Sequence, residues 1–293
     1  MRLLNRRDTA AGLLALPALV AGKARAAKQL CSSVADAPVV PPTGPTCTPT
    51  VNPVPLVQFN QNGGGLQSSL QGLFPSSFRY FLYSAWFCCP ADATHTTDIG
   101  FNATEFINKQ ISTVLGGGAP TFALEVGNNF LSTVFFNGTY HLPVNQMWNV
   151  IFSVDSVAQV MQVYANDAPL GIMSGGWIGS GMMQDGPAGA VLMIAGVNIL
   201  APAMGNVWAS STASFVDLTV VSNRRKFINA DLSAANLGTD GSAPFGSPPP
   251  IYLTVVGPPI NFLTNKGSGG NFILINGNTL TEQAPGTCPC PTS

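Results

Sequence analysis

Between residues 54 and 280, apolar positions come in short blocks separated by turn residues. Residues 78–87 (FRYFLYSAWF) form the longest aromatic block and read as a strand. Residues 121–126 (TFALEV) and 130–136 (FLSTVFF) read as two more, with Asn128-Asn129 as the hairpin turn between them. Residues 147–155 (MWNVIFSVD) and 159–165 (QVMQVYA) follow, joined through Ser156-Val157-Ala158. In the second of these, Met161, Val163 and Ala165 fall on one side, and Ala158, Val160 and Gln162 on the other. Both sides are largely apolar, which suits a strand covered on two faces. Asn166-Asp167-Ala168-Pro169 is the next turn, and further strand blocks lie at 191–195, 206–209, 214–220, 251–256 and 270–275. One stretch departs from this pattern. In residues 101–115 (FNATEFINKQISTVL), Phe106, Ile107 and Ile111 approach helical spacing behind Thr104 as an N-cap, so a short helix or an irregular excursion is expected there. Many short strands with regular turn signals predict an all-β domain, a two-sheet antiparallel sandwich.

The ends of the chain are different. Residues 1–26 begin with Arg6-Arg7, continue through a small and apolar run at 10–22, and close on Ala24-Arg25-Ala26. That is the order of a secretory signal, and its apolar run falls short of the roughly 20 residues a bilayer span needs. The paired arginines resemble a twin-arginine signal. Thr9 stands where such signals carry a hydrophobic residue, so an ordinary secretory signal stays open. Either route predicts export, to the periplasm or the extracellular space. Residues 27–53 are rich in Pro and Thr and read as an extended linker. The sandwich is expected over 54–280, with 281–293 as a short tail. The apolar run at 188–203 is broken by Gly196, Asn198 and Pro202, so no membrane span is expected in the mature chain.

Removal of the signal leaves 7 basic residues against 12 acidic ones, a net charge of −5. This argues against nucleic acid as a partner, which calls for a basic face. The one basic cluster, Arg224-Arg225-Lys226, reads as a solvated strand or loop end. Scarce Glu, Lys and Leu, with abundant Gly, Pro, Ser, Thr and Asn, again suit short strands and many turns.

All six cysteines (Cys31, Cys47, Cys88, Cys89, Cys288 and Cys290) lie beyond the signal. An even number in an exported chain points to disulfides, and six allow 15 pairings. Four of them sit in the linker and the tail, so bridges there would tether the ends. Cys288-Pro-Cys290 lacks the two-residue spacer of common zinc and redox motifs.

Three stretches carry a resemblance. Residues 147–170 (MWNVIFSVDSVAQVMQVYANDAPL), 205–253 and 262–280 (FLTNKGSGGNFILINGNTL) resemble the central and closing strands of laminin G-like domains. The chain thus resembles the concanavalin A-like lectin/glucanase superfamily, in particular its uncharacterised bacterial and phage-associated members. The resemblance implies a jelly roll, a fold often associated with sugar or surface-ligand binding.

Glucanases share that fold, so paired carboxylates are the test of catalysis. Retaining glycosidases place two carboxyl groups about 5 Å apart, which on one strand means close, same-face spacing. Glu105, Glu125 and Glu282 have no other acid within four residues, and Asp155 and Asp167 flank a hairpin. His95 and His141 have no nucleophile elbow to serve, and the Gly-rich runs at 175–181 and 267–270 lack the Lys-Ser/Thr of a phosphate loop. The chain is therefore expected not to be an enzyme.

Sugar recognition needs an aromatic surface and a few polar groups. Trp86, Trp148 and Trp208 read as core. Trp177 sits among Gly and Ser in an expected loop, and Asn137-Gly138-Thr139-Tyr140-His141 forms a second expected loop. Trp177, Tyr140, Asn137 and His141 are the candidate ligand-binding residues. Asp92, Asp98 and Asn102 are oxygen donors for a possible calcium ion, and no other cofactor is indicated. The reading that results is an exported, non-catalytic, lectin-like module with a glycan ligand. A structural or adhesion component of the cell envelope, and a degenerate glycoside hydrolase, are the alternatives.

Overall fold

The apolar blocks around Trp86 and Trp148 become the two central strands of the molecule. A computed structural model of the chain describes residues 54–59, 65–88, 97–102, 107–111, 121–128, 135–143, 147–170, 177–178, 182–184, 191–194, 203–275, 277 and 279–283. Its strands, in chain order, are β1 (Val57–Phe59), β2 (Gly65–Gln71), β3 (Ser77–Phe78), β4 (Tyr80–Cys88), β5 (Thr97–Asn102) and β6 (Ile107–Ile111). They continue as β7 (Thr121–Asn128), β8 (Phe135–Pro143), β9 (Met147–Asp155), β10 (Val160–Ala165), β11 (Ala168–Leu170) and β12 (Trp177–Ile178). The last six are β13 (Met183–Gln184), β14 (Val191–Ile194), β15 (Ala203–Thr212), β16 (Ile251–Leu253), β17 (Phe272–Ile275) and β18 (Leu280–Glu282). One helical turn, α1 (Val221–Arg224), and a 3-10 turn (Pro259–Leu263) are the helical pieces among the described residues, and neither is long enough to cross a membrane.

Every strand pair is antiparallel. The large sheet runs β11-β10-β9-β4-β15-β1-β18, with β16 also paired to β15. The second runs β17-β2-β14-β5-β6, β12-β8-β7 form a third whose β7 lies beside β6, and β13 pairs with β3. This is the antiparallel all-β sandwich that the turn spacing predicted.

Strand alternation decides the packing. Phe81, Tyr83, Ala85 and Phe87 of β4, Val150, Phe152 and Val154 of β9, and Val163 of β10 point into one core, which Leu66 of β2 and Phe272 of β17 close from the second sheet. The intervening residues Leu82 and Trp86 of β4, Ile151 of β9, Tyr164 of β10 and Trp208 of β15 point the other way. They meet Val216, Leu218, Phe227, Ile228, Leu232 and Leu237 in a second core. The large sheet is therefore covered on both faces, once by a sheet and once by an irregular arm, residues 213–250. That is why β10 reads as apolar on both sides. Burying one such side chain contributes about 1.5–3 kcal/mol.

Local chemistry fixes the joints. Asn166 and Asp167 have φ of 46° and 67°, the left-handed pair that a two-residue hairpin turn between β10 and β11 requires. Gly205 begins the irregular step in β15, and a Cβ there would collide with the carbonyl oxygen of Pro55. Asn265 knits the end of the arm to the closing strands. Its Oδ1 accepts from the amides of Tyr252 (2.8 Å) and Gly267 (3.1 Å), and its Nδ2 donates to the carbonyls of Pro250 (2.8 Å) and Gly270 (3.2 Å). Cys88 is disulfide-bonded, and the other five cysteines lie outside the described residues, as do residues 1–53 and the tail beyond 283.

Three expectations are corrected. Residues 101–115 hold no described helix: β5 and β6 pair antiparallel there, Phe101 opposite Ile107. Pairing supplies the backbone bonds, and β-branched Ile107 and Ile111 favour it over the helix their spacing suggested. The β7–β8 hairpin does not turn at Asn128-Asn129, because Asn128 still pairs with Phe136. Residues 214–220 are no strand. The Asp217 carboxylate accepts from the amide and hydroxyl of Thr219, and the Leu218 amide donates to the Gln162 side chain, so side chains satisfy this backbone in place of a ladder.

Arg79 donates two hydrogen bonds to Asp155, Nε to Oδ1 at 2.7 Å and Nη2 to Oδ2 at 2.8 Å. The Arg79 hydrogen bond, helped by the amides of Ala158 and Val157, holds the Asp155 carboxyl below the usual carboxylate range. Hydrogen bonds from Thr219, Ser233 and Ser242 do the same for Asp217, Asp231 and Asp240. A depressed folded pKa contributes stability that is complete above the unfolded value, about 3.9, and is lost as pH falls through the folded one. Acid titration of unfolding is thus expected to show stability declining below about pH 4. Asp155→Asn should flatten part of that slope; an unchanged slope would contradict the pairing.

Candidate functional site

The candidate site lies where β15 outruns β16. Beyond the irregular step, Trp208, Ser210 and Thr212 fall on the face toward the arm. β16 pairs only with Val207–Ala209, because Ile251–Leu253 is three residues long. Ser210–Thr212 keep their ladder to β4 (Ser210 opposite Leu82, Thr212 opposite Tyr80), but have no strand on the other edge among the described residues. A polar run suits that open edge.

The arm returns over this edge in a tight turn. The amides of Phe245 and Gly246 both donate to the Ser242 carbonyl, and Gly246 closes the turn at φ +79°. Trp208 anchors the turn: its indole Nε1 donates to the Gly241 carbonyl at 2.9 Å. Phe227 and Phe245 pack on Trp208 with ring centroids 5.2 and 5.6 Å away. Trp208 is buried, whereas Phe245 remains 38% exposed.

Between strand edge and turn is a pocket of about 300 Å³. Trp208, Val216 and Phe245 supply its apolar wall; Ser210, Thr212, Ser214 and Ser247 bring hydroxyl-bearing residues to the rest, and Ser211 lines it from the strand edge. None of its lining residues is charged. Ser210 Oγ donates to the Ser211 carbonyl and Thr212 Oγ1 to the Ser214 carbonyl, both at 2.9 Å, so these two hydroxyls have lone pairs left to offer. Ser211, Ser214 and Ser247 make no side-chain hydrogen bond among the described residues and can donate or accept. Behind Phe245, the Lys226 ammonium stands 3.9 Å from the ring centroid, its pKa lowered by burial.

The basic cluster has three structural roles. Arg224 is buried, lies over the Tyr164 ring at 4.5 Å and donates to Asp167 Oδ1 at 2.5 Å. Arg225 donates to Asp167 Oδ2 at 2.6 Å, and Lys226 takes Phe245. The charges tie the arm to the β10–β11 turn, where a solvated end was expected.

The residues singled out in the sequence are placed elsewhere. Asn137, Tyr140 and His141, expected in a loop, lie in strand β8, and Trp177, also expected in a loop, forms β12 opposite Phe136. Asp98 and Asn102 lie in β5. Asp92 is outside the described residues. Trp86, Trp148 and Trp208 are core, as expected, and Trp208 is also a pocket wall. Sequence reasoning missed Phe245 and the Ser210–Thr212 edge. The signal was present: Phe245 sits within Ser-Ala-Pro-Phe-Gly-Ser-Pro, the same kind of small-residue surround that drew attention to Trp177.

No protein-family model matches the chain, and no curated protein matches it. Among solved structures, the chain is similar to the native heptameric SAP-like pentraxin from Limulus polyphemus, at 12% identity and a TM-score of 0.40, over 80% of this chain and 97% of that one. It is also similar to domain 4 of AbnA, a GH43 extracellular arabinanase from Geobacillus stearothermophilus, solved in complex with arabinotriose. There the identity is 20%, the TM-score 0.32, and the match covers 56% of this chain and 73% of that one.

Proposed function

We propose that this chain is an exported, non-catalytic carbohydrate-binding module of the concanavalin A-like kind. The observation that carries the reading is the pocket beneath Phe245: hydroxyls on one side, an exposed aromatic ring on the other. Sugars present the complement, hydroxyls around a ring and an apolar C–H face. The carboxylates described near this face of the large sheet are already engaged, Asp167 by Arg224 and Arg225 and Asp217 by Thr219 and Gln162, so a catalytic pair has no support there. A single small site of this kind is expected to bind on the order of millimolar, about −4 kcal/mol. Useful affinity then needs several copies engaged at once. The leader at 1–26 supports export.

A glycan array with the purified protein tests the reading. Binding is expected, and Phe245→Ala should weaken it about tenfold or more, while the unfolding midpoint moves little because the ring is partly exposed. Loss on Trp177→Ala with Phe245→Ala unaffected would move the site to the β8–β12 face. An array with no binding at all would favour the envelope-component reading and overturn this one.

A further inference from the structure

We propose that the pocket takes one uncharged sugar unit, which donates its hydroxyl protons to Ser210 and Thr212; this rests on the carbohydrate reading above. Size comes first. About 300 Å³ is the lower end of the range of small-molecule sites, roughly 300–1,000 Å³, and suits one ring rather than a long oligosaccharide.

Charge comes second. An ionised carboxylate or ammonium moved into a site without a counter-charge loses hydration and regains no partner. The lining of this pocket holds no charged side chain. Lys226 stands 3.9 Å from the Phe245 ring centroid and is not part of the lining. An acidic sugar would have to draw Lys226 away from that ring.

Hydrogen-bond direction comes third. Ser210 and Thr212 give their hydroxyl protons to backbone carbonyls, so both meet the ligand as acceptors. They are two positions apart on one strand face, about 7 Å, the scale of a single sugar ring. A ligand that satisfies both must bring two hydroxyl donors that reach acceptors about 7 Å apart, which hydroxyls on opposite sides of one ring do across their hydrogen bonds. Ser214 and Ser247 can match either a hydroxyl or a ring oxygen. Phe245 remains as the surface for the C–H face.

The test is titration of the purified protein with methyl glycosides of neutral hexoses, their matched uronates and the matched 2-amino sugars. The neutral form is expected to bind at least tenfold more tightly than either charged form, with less than twofold change between 50 and 500 mM salt. Ser210→Ala and Thr212→Val should each weaken neutral binding about fivefold or more, and Ser247→Trp, which fills the mouth from an exposed position, should abolish it. Uronates binding as tightly as neutral sugars, with the preference lost in Lys226→Met, would overturn the proposal. Neutral binding unmoved by all three pocket variants would leave the carbohydrate reading standing and remove this pocket from it. No binding by any saccharide would overturn both.

Discussion

Trp208→Ala is expected to cost about 4 kcal/mol of stability, near the middle of the range for a buried aromatic truncated to alanine. Urea unfolding checks it. Trp208 is 1% exposed and stands where the large sheet meets the arm. Its ring carries Phe227 edge-on and Phe245 beside it, and its indole nitrogen holds the Gly241 carbonyl. Truncation leaves a cavity and orphans a carbonyl in the same stroke. Trp208→Phe separates the two effects: it keeps most of the packing and should lose about 1–2 kcal/mol for the hydrogen bond and the smaller ring. A loss below about 2 kcal/mol for the alanine variant would mean that the arm contributes little to the fold. Because the same ring walls the pocket, glycan binding should fall with it.

The second large effect is electrostatic. Asp167→Asn is expected to destabilise by about 3 kcal/mol, because it leaves the Arg224 guanidinium without its counter-charge in a mostly buried position. The substitution preserves the turn, since Asn tolerates the φ of 67° as well as Asp does. Arg225 is more exposed, at 31%, so Arg225→Gln should cost less than about 1 kcal/mol. A double variant, Asp167→Asn with Arg224→Met, should recover part of the loss, as removal of both members of a buried pair often does. Strict additivity of the two single losses in denaturant unfolding would show that the pair is not coupled.

The central strands were legible because their chemistry is redundant. In β4 most side chains are apolar and in β9 an unbroken alternation of Trp148, Val150, Phe152 and Val154 faces the first core, while the few polar residues, Ser84, Asn149, Ser153 and Asp155, are buried on the other side. The turn at Asn166-Asp167 was legible for a different reason: few residue pairs accept two successive left-handed conformations. The arm was not legible, because no period governs it. It is held by single side-chain bonds: Asp217 to Thr219, Asp231 to Ser233, Asn236 to the Gly238 amide, and Asp240 to the Ser242 amide. Such bonds span two residues and leave no trace at the scale over which strands and helices are read. The candidate site inherits that difficulty. Half of it is a strand edge that is open only because β16 stops, and half is a turn that Trp208 positions from 33 residues away. The sequence offers an aromatic residue among Gly and Ser both at Trp177 and at Phe245, and spacing does not choose between them.

The pairing of β1 with β18 bears on how the domain would respond to force. The first and last of the described strands are neighbours, joined in three positions: Val57 with Glu282, Gln58 with Thr281, and Phe59 with Leu280. Because they are antiparallel, the chain enters and leaves at the same end of that pair. A load applied through residues 56 and 283 falls first on the hydrogen bond from the Gln283 amide to the Leu56 carbonyl, then on Val57–Glu282 and the two pairs beyond it. The strands are peeled apart one pair at a time instead of being sheared together, and β18 is an edge strand whose departure leaves β1 on β15. The weak point under tension is thus the seam where the chain closes on itself, at a distance from the doubly covered centre of the sheet.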